Sequence, residues 1–103
     1  MNMVKLIALY KIPENKEEFD NHYFNVHAPI TEKIPGLRKM EVTKIVGSPM
    51  GKTEYHLLCE MYYDSHEALK AAMKTEEAKA SGKDLMGFAA ELVTLMIGEE
   101  VNE

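Results

Sequence analysis

The sequence predicts an α+β fold, a ferredoxin-like sandwich with the element order β-α-β-β-α-β. Two observations lead to this prediction. Four short segments have the composition of strands, and two amphipathic regions with capping residues lie between them in that order. In this topology a four-stranded antiparallel sheet of order 4-1-3-2 has its helices on one face. Because the chain has 103 residues, we expect a single domain over residues 1–103.

The first strand and helix are predicted from residues 3–11 and 15–34. Residues 3–11 are mostly apolar, too few for an ordinary helix, and followed by Pro13. Asn15 and Glu18 have the spacing of a capping box, which places the start of the helix. Pro29 lacks an N–H and predicts a kink or a restart of this helix. Its predicted buried stripe is Phe19, Tyr23, Val26, Ile30 and Ile34.

The second half of the chain predicts the other three strands and the second helical region. Residues 36–46 and 54–63 are strands joined as a hairpin by the loop at 47–52. Asp64 or Ser65 begins the next helix, and a fresh start at 75–77 leads to a helix that reaches Phe88. Residues 91–97 form the last strand.

The strand pattern also predicts a homodimer. If both helices cover one face of the sheet, the other face is bare and carries Ile7, Leu9 and Leu58. Soluble monomers rarely expose so large an apolar surface. A second copy packed face to face covers it.

Composition excludes several classes of protein. The net charge of -5 argues against a nucleic-acid partner. No apolar run approaches the roughly 20 residues that cross a bilayer, so no membrane partner is expected. A single cysteine and the lack of a signal peptide indicate a cytoplasmic protein.

Several short motifs together resemble a known family. They are VKLIALYK at 4–11 with Pro13, then Phe19, His22-Tyr23, the triplet His27-Ala28-Pro29, and IPGL at 34–37. The chain resembles the EthD family of the dimeric α+β barrel superfamily over essentially its whole length. The resemblance implies a homodimer with a pocket for a small, often aromatic ligand. Superfamily relatives include cofactor-independent monooxygenases, isomerases, polyketide cyclases and haem-degrading enzymes, so it implies no single reaction.

His27 is the candidate catalytic residue. At about 100° per residue it lies roughly 80° from the centre of the predicted stripe, at the border of the buried face. A half-covered histidine there suits a general acid or base. The alternative is a structural role, in which His27 bonds a backbone carbonyl that Pro29 leaves free. Tyr23 lies one turn earlier and either orients a ligand or belongs to the core.

Further ligand-binding candidates lie on the predicted strands. His56, Glu60 and Tyr62 share a predicted face of the third strand with Leu58. If that face looks into a cavity enclosed between the two sheets of the dimer, they are polar groups in an apolar chamber, where ligand specificity usually resides. Lys5 falls on the matching face of the first strand and is expected to pair with Glu60. The alternative is an ion pair that serves only the dimer interface. Tyr55, Leu57, Cys59, Met61 and Tyr63 face the other way.

No metal or cofactor is expected. His22 and His27 are five residues apart, not the three or four that place two ligands on one helix face. His22, His66 and the charged run 79–84 are expected to be solvated. No phosphate-binding loop or dinucleotide motif is present.

Two main hypotheses about function follow. The first is an enzyme that binds a small aromatic or polyketide-like ligand between sheet and helices, a cofactor-independent oxygenase, isomerase or decarboxylase with His27 as acid or base. The second is a non-catalytic ligand-binding or accessory dimer that serves a neighbouring oxygenase. A third possibility is haem binding through His27.

Overall fold

The computed structural model describes residues 2–101, which form one antiparallel sheet with helices on one of its faces. The strands are β1 (Val4–Lys11), β2 (Lys39–Lys44), β3 (Tyr55–Tyr63) and β4 (Val93–Glu99), in the spatial order β2-β3-β1-β4. The helices are α1 (Lys16–His22), α2 (Ala28–Glu32), α3 (His66–Ala72) and α4 (Glu76–Ala89). The ferredoxin-like topology and the predicted sheet order are confirmed.

Short polar side chains begin three of the helices, as the sequence predicts. The Glu18 N–H donates to Asn15 Oδ1 over 3.0 Å at the start of α1. Ser65 and Thr75 accept in the same way at α3 and α4. The alternative cap Asp64 instead pairs with Arg38. Within residues 2–101, no helix combines the length and apolar character that crossing a membrane requires.

A π-helical turn (Tyr23–His27) joins α1 to α2 and changes which side chains are buried. The Ala28 N–H donates to the Tyr23 carbonyl, five residues earlier, so this turn holds one residue more than an α-helical turn. The predicted burial of Val26 is therefore wrong, since Val26 is 41% exposed. The predicted border position of His27 is also wrong, because 100° per residue does not hold across the turn. His27 is 6% exposed and takes the inward position.

Aromatic rings fill the core between the sheet and the helices. Tyr10 of β1 meets Phe19 of α1 and Tyr23 of the π-helical turn edge to face, with ring centroids 5.3 and 5.7 Å away. Leu57 and Tyr63 of β3 are fully buried beside this cluster. The first helical segment is thus held against the sheet by the residues that flank the π-helical turn.

An irregularity in the pairing of β1 with β3 moves His56 away from its predicted place. Tyr10 pairs with Leu57 but Lys11 pairs with Tyr55, so His56 is an extra residue in β3. The His56 Nε2 atom lies 2.8 Å from Asp20 Oδ1 on α1. The prediction that His56 shares a face with Glu60 and Tyr62 is therefore wrong.

The sheet face opposite the helices carries an apolar centre. Leu9 pairs with Leu58 across the β1–β3 ladder, and Ile7 pairs with Met96 across the β1–β4 ladder. No helix within residues 2–101 covers these four side chains. We call this surface the open sheet face.

Candidate functional site

A cavity of about 120 Å³ lies between the sheet and the helices. That is several times the space one water molecule needs. Its walls are mostly apolar and come from β1, β3 and β4 on one side and from the helices on the other. Few of the lining residues carry a polar side-chain group: Tyr10, Tyr23, His27, Thr31, Cys59 and Ser81.

His27 reaches the cavity with one of its ring nitrogens already bonded. Its Nδ1 atom lies 2.9 Å from Oδ2 of Asp84 on α4. The π-helical turn brings His27 inward, and α4 packs against that turn. A carboxylate at Nδ1 favours the tautomer with the proton on Nδ1, since the carboxylate can only accept. The Nε2 atom then carries a lone pair.

The Thr31 hydroxyl lies next to this second nitrogen and is itself paired with the Ser81 hydroxyl. Thr31 Oγ1 lies 3.4 Å from His27 Nε2, a long contact, and 2.7 Å from Ser81 Oγ on α4. Both side chains are buried and both line the cavity. The contact that Nε2 makes with Thr31 is therefore a weak one. We call His27, Asp84, Thr31 and Ser81 the candidate site.

Asp84 binds a second histidine as well. His22 Nε2 lies 2.9 Å from Asp84 Oδ1 and 3.1 Å from Oδ2. The prediction that His22 and the run 79–84 are simply solvated is wrong at these two residues. The sequence carried no local signal for these contacts, because His22 and His27 lie 62 and 57 residues from Asp84.

Burial dominates the electrostatics of the site. It lowers the pKa of His27 below its usual value, and the hydrogen bond to Asp84 opposes that effect only in part. Burial also raises the pKa of Tyr23, which lies against the Cys59 thiol, and raises the pKa of Cys59 to about 11. At neutral pH the site thus holds a neutral imidazole, a phenol and a thiol.

Three of the sequence-predicted ligand residues lie outside this cavity, on the open sheet face. Lys5 Nζ is 2.9 Å from Glu60 Oε2, so the predicted pairing of these two residues is confirmed. The Tyr62 hydroxyl donates to Glu41 Oε1 over 2.6 Å, and the Lys5 ammonium lies 5.0 Å from the centre of the Tyr62 ring. These residues form a polar group beside the apolar centre of that face.

His56, the remaining candidate, belongs to a separate cluster at the end of β3. Asp20 accepts from both His56 and Lys44, at 2.8 and 2.9 Å. Burial would raise the pKa of Asp20, but these two hydrogen bonds outweigh it and lower the pKa. The structure therefore brings Tyr23 and His27 together at the cavity and leaves His56 apart from them.

The described residues offer no evident metal centre. Within residues 2–101 no three histidine, cysteine, aspartate or glutamate side chains are grouped with the spacing that would hold a metal ion. In the cluster of His22, Asp84 and His27, the nitrogens point at the carboxylate itself and are occupied by hydrogen bonds to it.

Comparison with known proteins identifies the family. The EthD domain matches residues 11–91. The chain belongs to the EthD family. An EthD family protein from Bacillus halodurans C-125, whose crystal structure is known, is 69% identical, with a TM-score of 0.94 over 96% of this chain and 99% of that one. The resemblance stated from the sequence motifs is thus confirmed.

More distant proteins are also similar to this chain. An uncharacterised 11.0 kDa protein of Rhodococcus erythropolis, encoded in the thcB-thcC intergenic region, is 24% identical over 95% of both chains. The cofactor-independent oxygenase SnoaB of Streptomyces nogalater has a TM-score of 0.67 at 13% identity, over 100% of this chain and 95% of its own. Two other solved neighbours, from Bacteroides fragilis and Jannaschia, are described as dimeric.

Proposed function

We propose that this protein is an acid–base enzyme that acts on a small aromatic or polyketide-like ligand in the cavity, with His27 as the group that moves the proton. The observation that supports the proposal best is the 2.9 Å bond from His27 Nδ1 to Asp84, in a histidine that lines a mostly apolar cavity. A carboxylate that fixes the imidazole tautomer is the arrangement found in hydrolase triads, where it makes Nε2 a base.

The proton transfer follows from the residues at the cavity wall. His27 Nε2 accepts a proton from an acidic O–H or C–H of the ligand and becomes an imidazolium whose Nδ1–H still donates to Asp84. The ligand becomes a phenolate-like or enolate-like anion. The Thr31 hydroxyl beside Nε2 and the protonated Tyr23 hydroxyl are the donors that stabilise its oxygen.

Three reaction classes share this step. Cofactor-independent oxygenation, isomerisation and decarboxylation each pass through such an anion, so each needs a base and a donor near the developing charge. The oxygenase from Streptomyces nogalater shows that this fold supports the first of them. We therefore favour an oxygenase, isomerase or decarboxylase activity for this chain over ligand transport without chemistry.

The size of the cavity limits the ligand. A dry, apolar cavity of roughly 150 Å³ accommodates benzene. The enclosed space here, about 120 Å³, therefore suits a single small ring. A larger polyketide-like ligand extends through the opening of the cavity.

The active form that we propose is a homodimer paired through the open sheet face. Ile7, Leu9 and Leu58 supply its apolar centre, and the Lys5–Glu60 pair lies beside them. The dimeric fold neighbours support this arrangement. In such a dimer Lys5, Glu60 and Tyr62 act at the interface, on the opposite side of the sheet from His27.

A second candidate function is a non-catalytic ligand carrier. The mostly apolar wall of the cavity favours it, because such a wall binds ligands without chemistry. A carrier binds its ligand as well without His27 as with it.

The test compares wild type with His27→Gln in a thermal-shift and turnover screen against phenols, naphthols, quinones and lactones. A ligand at about a hundred times its dissociation constant adds roughly 2.7 kcal/mol and raises the melting temperature by several degrees. We expect a ligand that both variants bind and only wild type converts. His66→Gln is the matched control, because His66 is also a histidine bonded to an acid but is exposed. This variant should keep full turnover.

Other outcomes of the screen would contradict the proposed enzymatic function. Binding without turnover in wild type, unchanged in His27→Gln, favours the carrier. Full turnover in His27→Gln removes the proposed mechanism. A Soret band after haem addition that is lost in His27→Gln favours haem binding.

A further inference from the structure

The wall of the cavity is exposed to solvent on one side only. Ala8, Tyr23 and Cys59 at the inner end are 1–3% exposed. On the opposite side Met73, which follows α3, is 38% exposed and Leu95 of β4 is 48% exposed. The cavity therefore opens between the helices and β4, an edge strand of the sheet. We call this opening the cavity mouth.

Gly82 lies at the cavity mouth, within α4 (Glu76–Ala89), and is exposed. A glycine inside a helix is unfavourable relative to alanine, because it loses more backbone freedom on folding. Close packing does not require it here, since a Cβ atom built on Gly82 would meet no atom within 4 Å. The backbone at Gly82 has a negative φ, so its conformation does not require a glycine either.

Gly87 provides a direct comparison in the same helix. A Cβ atom on Gly87 also meets nothing within 4 Å, and Gly87 is exposed. Gly87 does not line the cavity. Each glycine thus destabilises the helix to the same extent, and each leaves room for a Cβ atom. The two differ in that Gly82 lies at the cavity mouth and Gly87 does not.

We propose that ligands reach the candidate site between α4 and β4, past Gly82, and that the missing side chain at Gly82 sets the width of the ligand that passes. The proposal rests on the proposed function in one respect, that the cavity receives the ligand. Gly82, Met73 and Leu95 line the same cavity and are all exposed, so a side chain at position 82 is added at the exposed part of the cavity wall. The class of ligand admitted is a flat aromatic ring that enters edge first, rather than a branched or globular molecule.

Cys59 makes this route measurable without a known substrate. It is the single cysteine of the chain, and its thiol lies at the inner end of the cavity. A thiosulfonate that reaches it forms a mixed disulfide and releases a sulfinate, so the mass of the protein reports the reaction. All variants are compared at one pH, because burial raises the pKa of Cys59 to about 11 and the thiolate is the reacting form.

The experiment measures the rate of Cys59 modification by methyl and by benzyl methanethiosulfonate in wild type, Gly82→Leu and Gly87→Leu. We expect Gly82→Leu to slow the benzyl reagent at least tenfold and the methyl reagent less, and Gly87→Leu to leave both rates near those of wild type. Both substitutions should raise the melting temperature, because leucine is a better helix former than glycine. Rates that stay constant in low urea exclude modification through global unfolding.

Three results overturn the proposal. They are equal slowing by the two leucine variants, no slowing by Gly82→Leu, and a wild-type rate that rises with urea as unfolding does. None of them bears on proton transfer by His27, which the turnover comparison of wild type and His27→Gln tests separately. The two experiments therefore distinguish a wrong ligand route from a wrong proton-transfer mechanism.

Discussion

His27 Nδ1 lies 2.9 Å from Asp84 Oδ2, and these two residues are 57 positions apart in the chain. The contact joins the π-helical turn to α4. The same carboxylate holds His22 at 2.9 Å through its other oxygen. Asp84 thus holds two imidazoles. That of His27 is buried in the cavity wall, and about a third of the His22 side chain is exposed. The candidate site depends on how two helical segments pack, not on residues close in sequence.

Replacing Asp84 by asparagine tests this contact. Asp84→Asn keeps the shape of the side chain but removes the charge that favours the proton on Nδ1 of His27. We expect the His27 ring to lose its fixed tautomer and turnover to fall by roughly a hundredfold or more, with ligand affinity little changed. Nitrogen chemical shifts of the imidazole report the tautomer directly, without a substrate.

Asp20→Asn is the matched control for that variant. Asp20 also accepts from a histidine, at 2.8 Å from His56, but it lies outside the cavity. Asp20→Asn should therefore leave the tautomer of His27 and the turnover unchanged. A tautomer that is the same in Asp84→Asn and in wild type would refute the role given to Asp84.

The lowered pKa of His27 predicts how stability depends on pH. Because burial keeps the folded-state pKa below the unfolded value of about 6.5, the unfolded chain binds a proton more readily. The stabilisation is complete above about pH 6.5 and is lost as the pH falls through the folded-state pKa. A difference of one pH unit between the folded-state and unfolded-state pKa values corresponds to about 1.4 kcal/mol of unfolding free energy.

Urea unfolding of wild type and His27→Gln between pH 8 and pH 4 measures this contribution. The difference in unfolding free energy between the two proteins should shrink as the pH falls. Turnover that depends on His27 as a base should decline over the same range as the pH falls. A difference that grows toward low pH would mean that His27 is charged when folded, and would contradict the assignment of Nε2 as a base.

The open sheet face predicts the oligomeric state. Ile7 lies at its centre, paired with Glu60 on one side and Met96 on the other. Ile7→Lys would place a charged side chain in the apolar centre of a face-to-face dimer, and the carboxylate opposite it, Glu60, is already bonded to Lys5, so burying the new ammonium should cost several kcal/mol. We expect wild type to have the mass of two chains by light scattering at micromolar concentration, and Ile7→Lys that of one.

Met86→Lys is the control for the dimer experiment. Met86 is 53% exposed on α4, in the helical layer, so its substitution should leave the dimer intact. A single-chain mass for wild type, or a stable dimer in Ile7→Lys, would exclude pairing through this face.

The sequence predicted the order of elements and the caps because these depend on periodicity and on short-range spacing, and it predicted the Lys5–Glu60 pair because the topology makes β1 and β3 neighbours. Two local departures from regular geometry were not visible in it. The extra residue at His56 turns that side chain toward α1, and the π-helical turn shifts the buried stripe after Tyr23. Asp84 was missed for a different reason: its partners come from a distant segment, and periodicity carries no information about such contacts.

The shift of the buried stripe gives the last prediction. A regular α-helix would bury Val26, whereas the π-helical turn leaves Val26 41% exposed and Ala28 7% exposed. Val26→Gln should therefore change the unfolding free energy by no more than about 0.5 kcal/mol. Ala28→Gln forces a longer polar side chain into a packed position and should cost roughly 1–3 kcal/mol, measured by urea unfolding. If Val26→Gln proved the more damaging of the two, the stripe would follow the regular helix, and His27 would return to the border of the buried face.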